Sequence, residues 1–217
     1  MYHYIEDKEF LKHMKSFCSN IVNQLVQSIN NDCVMTVKAY LVGSGAKNLI
    51  TQNAKEPIDL DYNLCILNVF GISFNNGKAI KEYIQKHFNA ILSNNDLDDC
   101  DDSTSALTTK LIYFTKGNKT KFRIDLAIVR EVDFGMMRLI HIKTGYTAFD
   151  QWNWNQAPNS KSLSRKANDI KRENHWLEVR DRYLIKKNMY LRRGEKKNHP
   201  SFNVYIETIN EIYDKYF

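Results

Sequence analysis

The pattern of apolar and polar positions divides the chain into a mixed first part and a helical second part. Phe10, Met14, Phe17, Cys18, Ile21, Leu25 and Val26 recur at helical spacing and predict one amphipathic helix over residues 7–30, with Asp7 as its N-cap. Cys33 to Val42 is apolar and β-branched, which reads as a buried strand ending at Gly43-Ser44-Gly45. A short helix is expected at about Ala46 to Gln52. Ile58 to Leu67 alternates and then turns wholly apolar, as a strand does when its first half faces a cleft and its second half is core. Ile80, Tyr83, Ile84, Phe88 and Ile91 define a helix over 77–92. Ala106–Phe114 and Lys121–Val129 read as a hairpin turned at Lys116-Gly117-Asn118, and further extended pieces are expected near Met137–Ile142 and Thr147–Trp154.

Beyond Pro158 the spacing becomes helical. Leu177, Leu184 and Leu191, with Trp176 and Tyr183, form an apolar stripe, and Glu178, Arg182 and Lys186 a polar one. Phe202, Tyr205, Ile206, Ile209, Ile212, Tyr213 and Tyr216 predict an amphipathic C-terminal helix. The division expected is a mixed α/β part over residues 1–157 and a helical segment over 158–217 packed on it, since no long linker separates the two.

Composition changes this picture little. With 217 residues, 43% hydrophobic and 26% charged, the chain falls among ordinary globular proteins. It lacks an apolar run long enough for a membrane span, and its first residues do not read as a signal peptide. Cys18, Cys33, Cys65 and Cys100 make no Cys-x-x-Cys pair and share no ligand spacing with the histidines, so no zinc site is expected and a reduced, cytoplasmic protein is the simplest reading.

Charge adds more. The net is +6, yet residues 159–197 carry 13 Lys and Arg against 5 Asp and Glu. Such a basic segment fits an anionic partner, a nucleoside triphosphate or RNA, and equally a solvated helix surface. Ser160-Lys161-Ser162-Leu163-Ser164-Arg165-Lys166 opens it, and Lys161 and Lys166 are the candidate phosphate contacts. The acidic run Asp96, Asp98, Asp99, Asp101 and Asp102 lacks the glycine and final glutamate of a calcium loop and reads as a solvated loop. Trp152 and Trp154 fall on one face of a strand and either stack a base or fill core beneath a helical layer. His141 and His175 read as structural.

The chemistry lies in Leu41-Val42-Gly43-Ser44, then fourteen residues, then Asp59-Leu60-Asp61. Side chains alternate along a strand, so Asp59 and Asp61 share a face with Cβ atoms roughly 6–7 Å apart. Two carboxylates that close repel unless something positive lies between them, and a pair of divalent cations about 3.5–4 Å apart meets that need. A third acid, Asp125, stands alone in the apolar stretch Phe122–Val129, where it is costly unless paired or metal-bound. Placing that strand beside Ile58–Leu67 would bring Asp125 to the pair. Three hard oxygen ligands suit Mg²⁺, or Mn²⁺. Gly43 at a strand end allows close backbone approach, the Ser44 hydroxyl can bond a terminal phosphate, and Lys47 can add a positive charge.

Gly-Ser, a helix, Asp-x-Asp and a later strand Asp together resemble the nucleotidyltransferases of the DNA polymerase beta superfamily, over about residues 33–129. The gap before Asp-x-Asp is a few residues longer than usual there. The resemblance implies an α+β fold, a mixed β-sheet flanked by helices with a C-terminal helical segment. It implies an enzyme that moves a nucleoside monophosphate from a triphosphate, ATP first, to an acceptor hydroxyl with release of pyrophosphate. Asp59 and Asp61 would bind both metals and Asp125 the second, with Asp125 a candidate base. The acceptor could be an RNA or tRNA end, a small molecule such as an antibiotic, or a protein side chain. The alternative is a non-catalytic nucleotide- or RNA-binding module on the same fold.

Overall fold

The computed structural model describes residues 1–133, 135–158, 161–195 and 199–217, with the backbone alone at Lys161. In chain order the first half runs β1 (Tyr2–Tyr4), α1 (Lys8–Asn31), β2 (Met35–Leu41), α2 (Gly43–Lys47), β3 (Thr51–Asn53), β4 (Ile58–Val69) and α3 (Gly77–Ser93). The second half runs β5 (Asp101–Asp102), β6 (Leu107–Thr108), β7 (Phe122–Val132), β8 (Gly135–Ile142), β9 (Gln151–Gln156), α4 (Lys161–Arg172), α5 (Trp176–Arg192) and α6 (Ser201–Tyr216). Two compact units result. One holds Asp7–Asn48 and Pro57–Pro158; the other holds Met1–Glu6, Leu49–Glu56 and Asn159–Phe217.

The first unit is a seven-stranded mixed sheet under two long helices. β2, β4, β7, β6 and β5 lie in that order, and β8 joins β7 further along and carries β9. β4 and β7 are parallel and the other pairs antiparallel. Asp7 caps α1 by accepting the Phe10 amide at 2.9 Å, as the sequence implies. Phe10, Met14, Cys18, Ile21 and Leu25 bury the apolar stripe of α1, and Ile80, Ile84, Phe88 and Leu92 that of α3. The helices lie side by side, joined by Ser28 Oγ and His87 Nδ1 at 2.8 Å. They cover the sheet face that carries Ile58, Leu60, Leu64, Phe122 and Ile124; the Phe10 and Phe122 rings meet edge to face.

Several expectations shift. The short helix starts at Gly43 rather than Ala46, because Gly43 takes a positive φ of 60° and turns the chain directly out of β2. Asn48 ends it in the left-handed region, so residues 51–53 are free to form β3. The hairpin before β7 is irregular, with two residues in β6 and then a single bridge from Ile112 to Phe122. The tryptophans fill structure: the Trp154 indole donates to the Phe74 carbonyl at 2.8 Å, and His141 stacks on Trp152 at 4.2 Å. The acidic run is only partly solvated. Asp102 pairs with the buried Lys81 at 2.5 Å and with His141 at 2.8 Å, and His141 reaches Asp150 at 3.0 Å on its other nitrogen.

In the second unit, β1 and β3 pair antiparallel and α4, α5 and α6 bury Leu163, Ile170, Val179, Tyr183, Val204, Ile209 and Ile212, with Leu49. Met1–Glu6 and Leu49–Glu56 thus group with the helices rather than with the mixed part that residues 1–157 were expected to form. Tyr4 Oη donates to the Arg180 carbonyl at 2.7 Å and Lys187 to Thr51 at 2.9 Å. Of the expected apolar stripe of α5, Tyr183 is buried, while Leu177 is 74% exposed and Leu184 and Leu191 are half-buried. Val179 goes inside beside Tyr183, and the polar stripe meets α6 through Lys215–Glu178 at 2.7 Å, Arg182–Glu211 at 2.6 Å and Lys186–Glu211 at 2.9 Å. The positions of α4 and α6 decide which part of the stripe is covered. Among the described residues no helix is long and apolar enough to cross a membrane.

Candidate active site

Strand alternation builds the site on the sheet face opposite α1 and α3. On β4 the inward residues Ile58, Leu60 and Tyr62 are buried, while Asp59 is exposed and Asp61 half-buried on the other side. On β7, Phe122, Ile124 and Leu126 are buried and Arg123 and Asp125 are half-buried. The parallel register sets Asp59 opposite Arg123 and Asp61 opposite Asp125. Paired strands lie about 4.8 Å apart, so the three aspartates form one cluster. The strand adjacency that Asp125 required is present.

Gly43 closes the cluster on one side. The Val42 amide donates to the Asp61 carbonyl at 2.8 Å, which holds the start of α2 against β4. A Cβ at position 43 would overlap Asp61 Oδ2, and the φ of 60° also favours glycine there. Ser44 follows in the first turn of α2, half-buried. Lys47 donates to the Gly43 carbonyl at 3.2 Å, and its charge acts on Asp61. Lys15 of α1 secures the same short helix through the Gly45 carbonyl at 2.9 Å.

The electrostatics are those of crowded acids. Burial first, then Asp125 and Asp59, push Asp61 up to about 6, while Arg138 and Lys47 pull the other way. Asp125 is raised mainly by burial, and a hydrogen bond from Thr108 Oγ1 to its Oδ1 at 2.7 Å opposes the rise. Asp59 accepts from Arg123 Nε at 2.6 Å. Arg123, Thr108 and Arg138 are absent from the sequence reading. Arg123 was legible, being two residues before Asp125 and so on its face; Thr108 and Arg138 arrive only through sheet pairing.

Three carboxylates on one face, with Asp61 and Asp125 raised by burial and by neighbouring acids, match the donor chemistry of a hard divalent cation such as Mg²⁺ or Mn²⁺. Asp59, Asp61 and Asp125 are the residues that could hold it. Their present rotamers do not converge: among the described residues no group of three or more His, Cys, Asp or Glu side chains stands arranged around one ion position. The reason is local, since Asp59 is turned onto Arg123 and Asp125 onto Thr108.

The two lysines chosen in the basic segment fall in the other compact unit. The Lys161 side chain and Ser160 lie outside the described residues. Lys166 belongs to the other compact unit, where it donates to Asn210 at 2.9 Å, lies 3.7 Å from Asp214 and sits over the Tyr213 ring. An amine held by an amide, a carboxylate and a ring serves helix packing.

No family model matches the chain, and no curated protein matches it in sequence. Solved structures do match in fold. The CdnE cyclic dinucleotide synthase of Elizabethkingia meningoseptica, solved with GTP and Apcpp, superposes with a TM-score of 0.52 at 11% identity, over 92% of this chain and 70% of that one. CdnC of E. coli MS115-1 with ATP gives 0.56 at 13% identity, over 94% and 61%. The same CdnC in complex with HORMA-deltaN gives 0.54 at 14% identity, over 94% and 60%. The chain has the nucleotidyltransferase fold. Its mixed sheet flanked by helices, with a C-terminal helix, is the α+β architecture that these neighbours share. At these identities the likeness extends to the fold, and the chain spans about 60% to 70% of the neighbours' length.

Proposed function

We propose that this chain is a metal-dependent nucleotidyltransferase that moves a nucleoside monophosphate from a triphosphate to an acceptor hydroxyl and releases pyrophosphate. One observation carries the reading: Asp61 stands opposite Asp125 on parallel strands, with Asp59 on the same face and Gly43 fitted against the Asp61 carboxylate. Acids set side by side on a sheet repel one another, and a bound cation would offset that cost. A bound divalent cation would supply Lewis-acid stabilisation of phosphoryl charge and lower the pKa of the attacking hydroxyl.

The chain's own residues do the rest. Asp59 and Asp61 offer ligand oxygens from one rigid strand, which fixes their separation. Gly43 and Ser44 let the triphosphate approach backbone closely, with Lys47 adjoining. Asp125, its Oδ1 held by Thr108 and its pKa raised, would accept the hydroxyl proton.

The acceptor we favour is the hydroxyl of a second nucleotide. Arg123 and Arg138 bring positive charge to the carboxylate cluster, which suits an anionic acceptor and disfavours a polycationic antibiotic. The RNA reading loses support because Arg182 and Lys186 of the basic segment are neutralised by acids of α6. The solved neighbours, one named a cyclic dinucleotide synthase and bound to GTP, point the same way, and ATP and GTP are the triphosphates to try first.

The test incubates the protein with each labelled triphosphate and Mg²⁺ or Mn²⁺ and follows pyrophosphate release and product length. A nucleotide-to-nucleotide product is expected, with Asp59→Asn and Asp61→Asn lowering the rate by about a hundredfold or more. Failure to consume any triphosphate, or variants as active as the parent, would sink the enzymatic reading; nucleotide binding without turnover would leave the binding-module alternative.

A further inference from the structure

The carboxylate floor is a two-by-two array. One row sets Asp61 against Asp125, acid against acid; the next sets Asp59 against Arg123, acid against cation. Arg123 Nε donates to Asp59 Oδ1 at 2.6 Å, a short charge-assisted bond, with the side chains 37% and 44% exposed. Asp125 is also held, by Thr108, but a neutral hydroxyl leaves its charge available. The Arg123 contact is different in kind. It takes a lone pair of Asp59 and sets a permanent positive charge beside it, because guanidinium does not deprotonate in proteins. A divalent cation on Asp59 would meet that charge at close range, and two cations on one carboxylate repel.

We propose that Arg123 is a latch on Asp59 that a divalent cation must displace, and that the released guanidinium finds its alternative partner in the oxygens of the incoming triphosphate. The proposal rests on the nucleotidyltransferase reading above. Its physical content is an exchange of partners. Asp59 passes from a guanidinium to a divalent cation, and the guanidinium passes from a carboxylate to phosphate, for which its planar fork is well shaped. Metal alone displaces Arg123 at a cost, whereas metal and triphosphate together satisfy both groups. Metal and nucleotide binding are then coupled, each strengthening the other by the same factor. Arg123 acts through Asp59 and is a positioning residue. No other residue of the array can serve, since Asp61 and Asp125 carry charge of the same sign as Asp59.

The test needs no turnover. Mn²⁺ binding to the full chain, without nucleotide, is followed by the paramagnetic resonance signal of the free ion. Arg123→Gln should bind Mn²⁺ about tenfold more tightly than the parent, the scale of one hydrogen bond between charged groups. Arg123→Lys, which keeps the charge, should stay near the parent. Adding Asp59→Asn to Arg123→Gln should abolish the gain, because the latch works on that carboxylate alone. Circular dichroism melting of each variant verifies folding. Unchanged or weaker Mn²⁺ binding in a folded Arg123→Gln overturns the latch, and weaker binding would mean that Arg123 orients Asp59 for metal instead. If Arg123→Gln binds no Mn²⁺ at millimolar concentration the latch is likewise refuted. Triphosphate consumption then decides separately whether the nucleotidyltransferase reading survives.

Discussion

Along β4, Ile58, Leu60 and Tyr62 turn toward α1 and α3 and are buried, while Asp59 and Asp61, one residue away in each case, turn to the opposite side. β7 repeats the arrangement with Phe122 and Ile124 against Arg123 and Asp125. The covered face lowers free energy by removing apolar surface from water, at roughly 25 cal/mol per Å². The carboxylate face does the reverse and holds like charges together. One pair of strands therefore carries stability on one side and the candidate site on the other, and the first offsets the cost of the second. Substitutions on the two faces should consequently fail in different ways.

The largest effect is expected on the covered face. Leu60 is fully buried, and Leu60→Ala should cost about 2–5 kcal/mol of stability. Denaturant melts would show the loss, while the folded fraction would keep its metal affinity. A variant that melts like the parent would mean that this face does not carry the fold.

Gly43→Ala sits between the faces. The added methyl group would overlap Asp61 Oδ2 on a backbone at φ 60°, so about 1–3 kcal/mol of strain is expected, with triphosphate turnover falling further than the melt predicts. Equal loss in both measurements would separate Gly43 from the site.

The smallest and most diagnostic effect has the opposite sign. Burial and neighbouring acids raise Asp61 to about 6, so its ionised form weakens the folded state. The folded protein holds this proton more tightly than the unfolded chain, so the penalty is full above about pH 6 and fades as the pH falls through that value. Asp61→Asn should thus be more stable than the parent at pH 8 by about 1–2 kcal/mol, a rise of a few degrees in Tm, and should lose that advantage progressively as the pH falls from about 6 toward 3.8. A parent that outlasts the variant at pH 8 would contradict the crowding of acids.

Much of this division was readable beforehand. The helices over 8–31 and 77–93, the strand from Ile58 and its alternation all follow from spacing, because periodicity is a local property of backbone geometry. What escaped was set by partners. β1 and β3 have three residues each, too few to show alternation. On α5 the expected stripe held Tyr183, which is buried, but also Leu177, which is not, and packing rather than spacing puts Val179 beside Tyr183. The partners of Lys166, Asn210 and Asp214, stand over forty residues on, beyond the reach of any local pattern.

The sequence by itself determined that Asp59 and Asp61 share a strand face, that Gly43-Ser44 precedes them at the end of a strand, and that Asp125 is a lone acid in an apolar stretch. These are consequences of residue order and a two-residue repeat. Only the tertiary structure decided that β7 lies parallel to β4 in a register that opposes Asp125 to Asp61 and Arg123 to Asp59. A shift of one residue would have turned Asp125 into the helix-covered core. That register spans some sixty residues of chain, and it is chosen by the burial of two apolar faces against α1 and α3, which no local pattern contains.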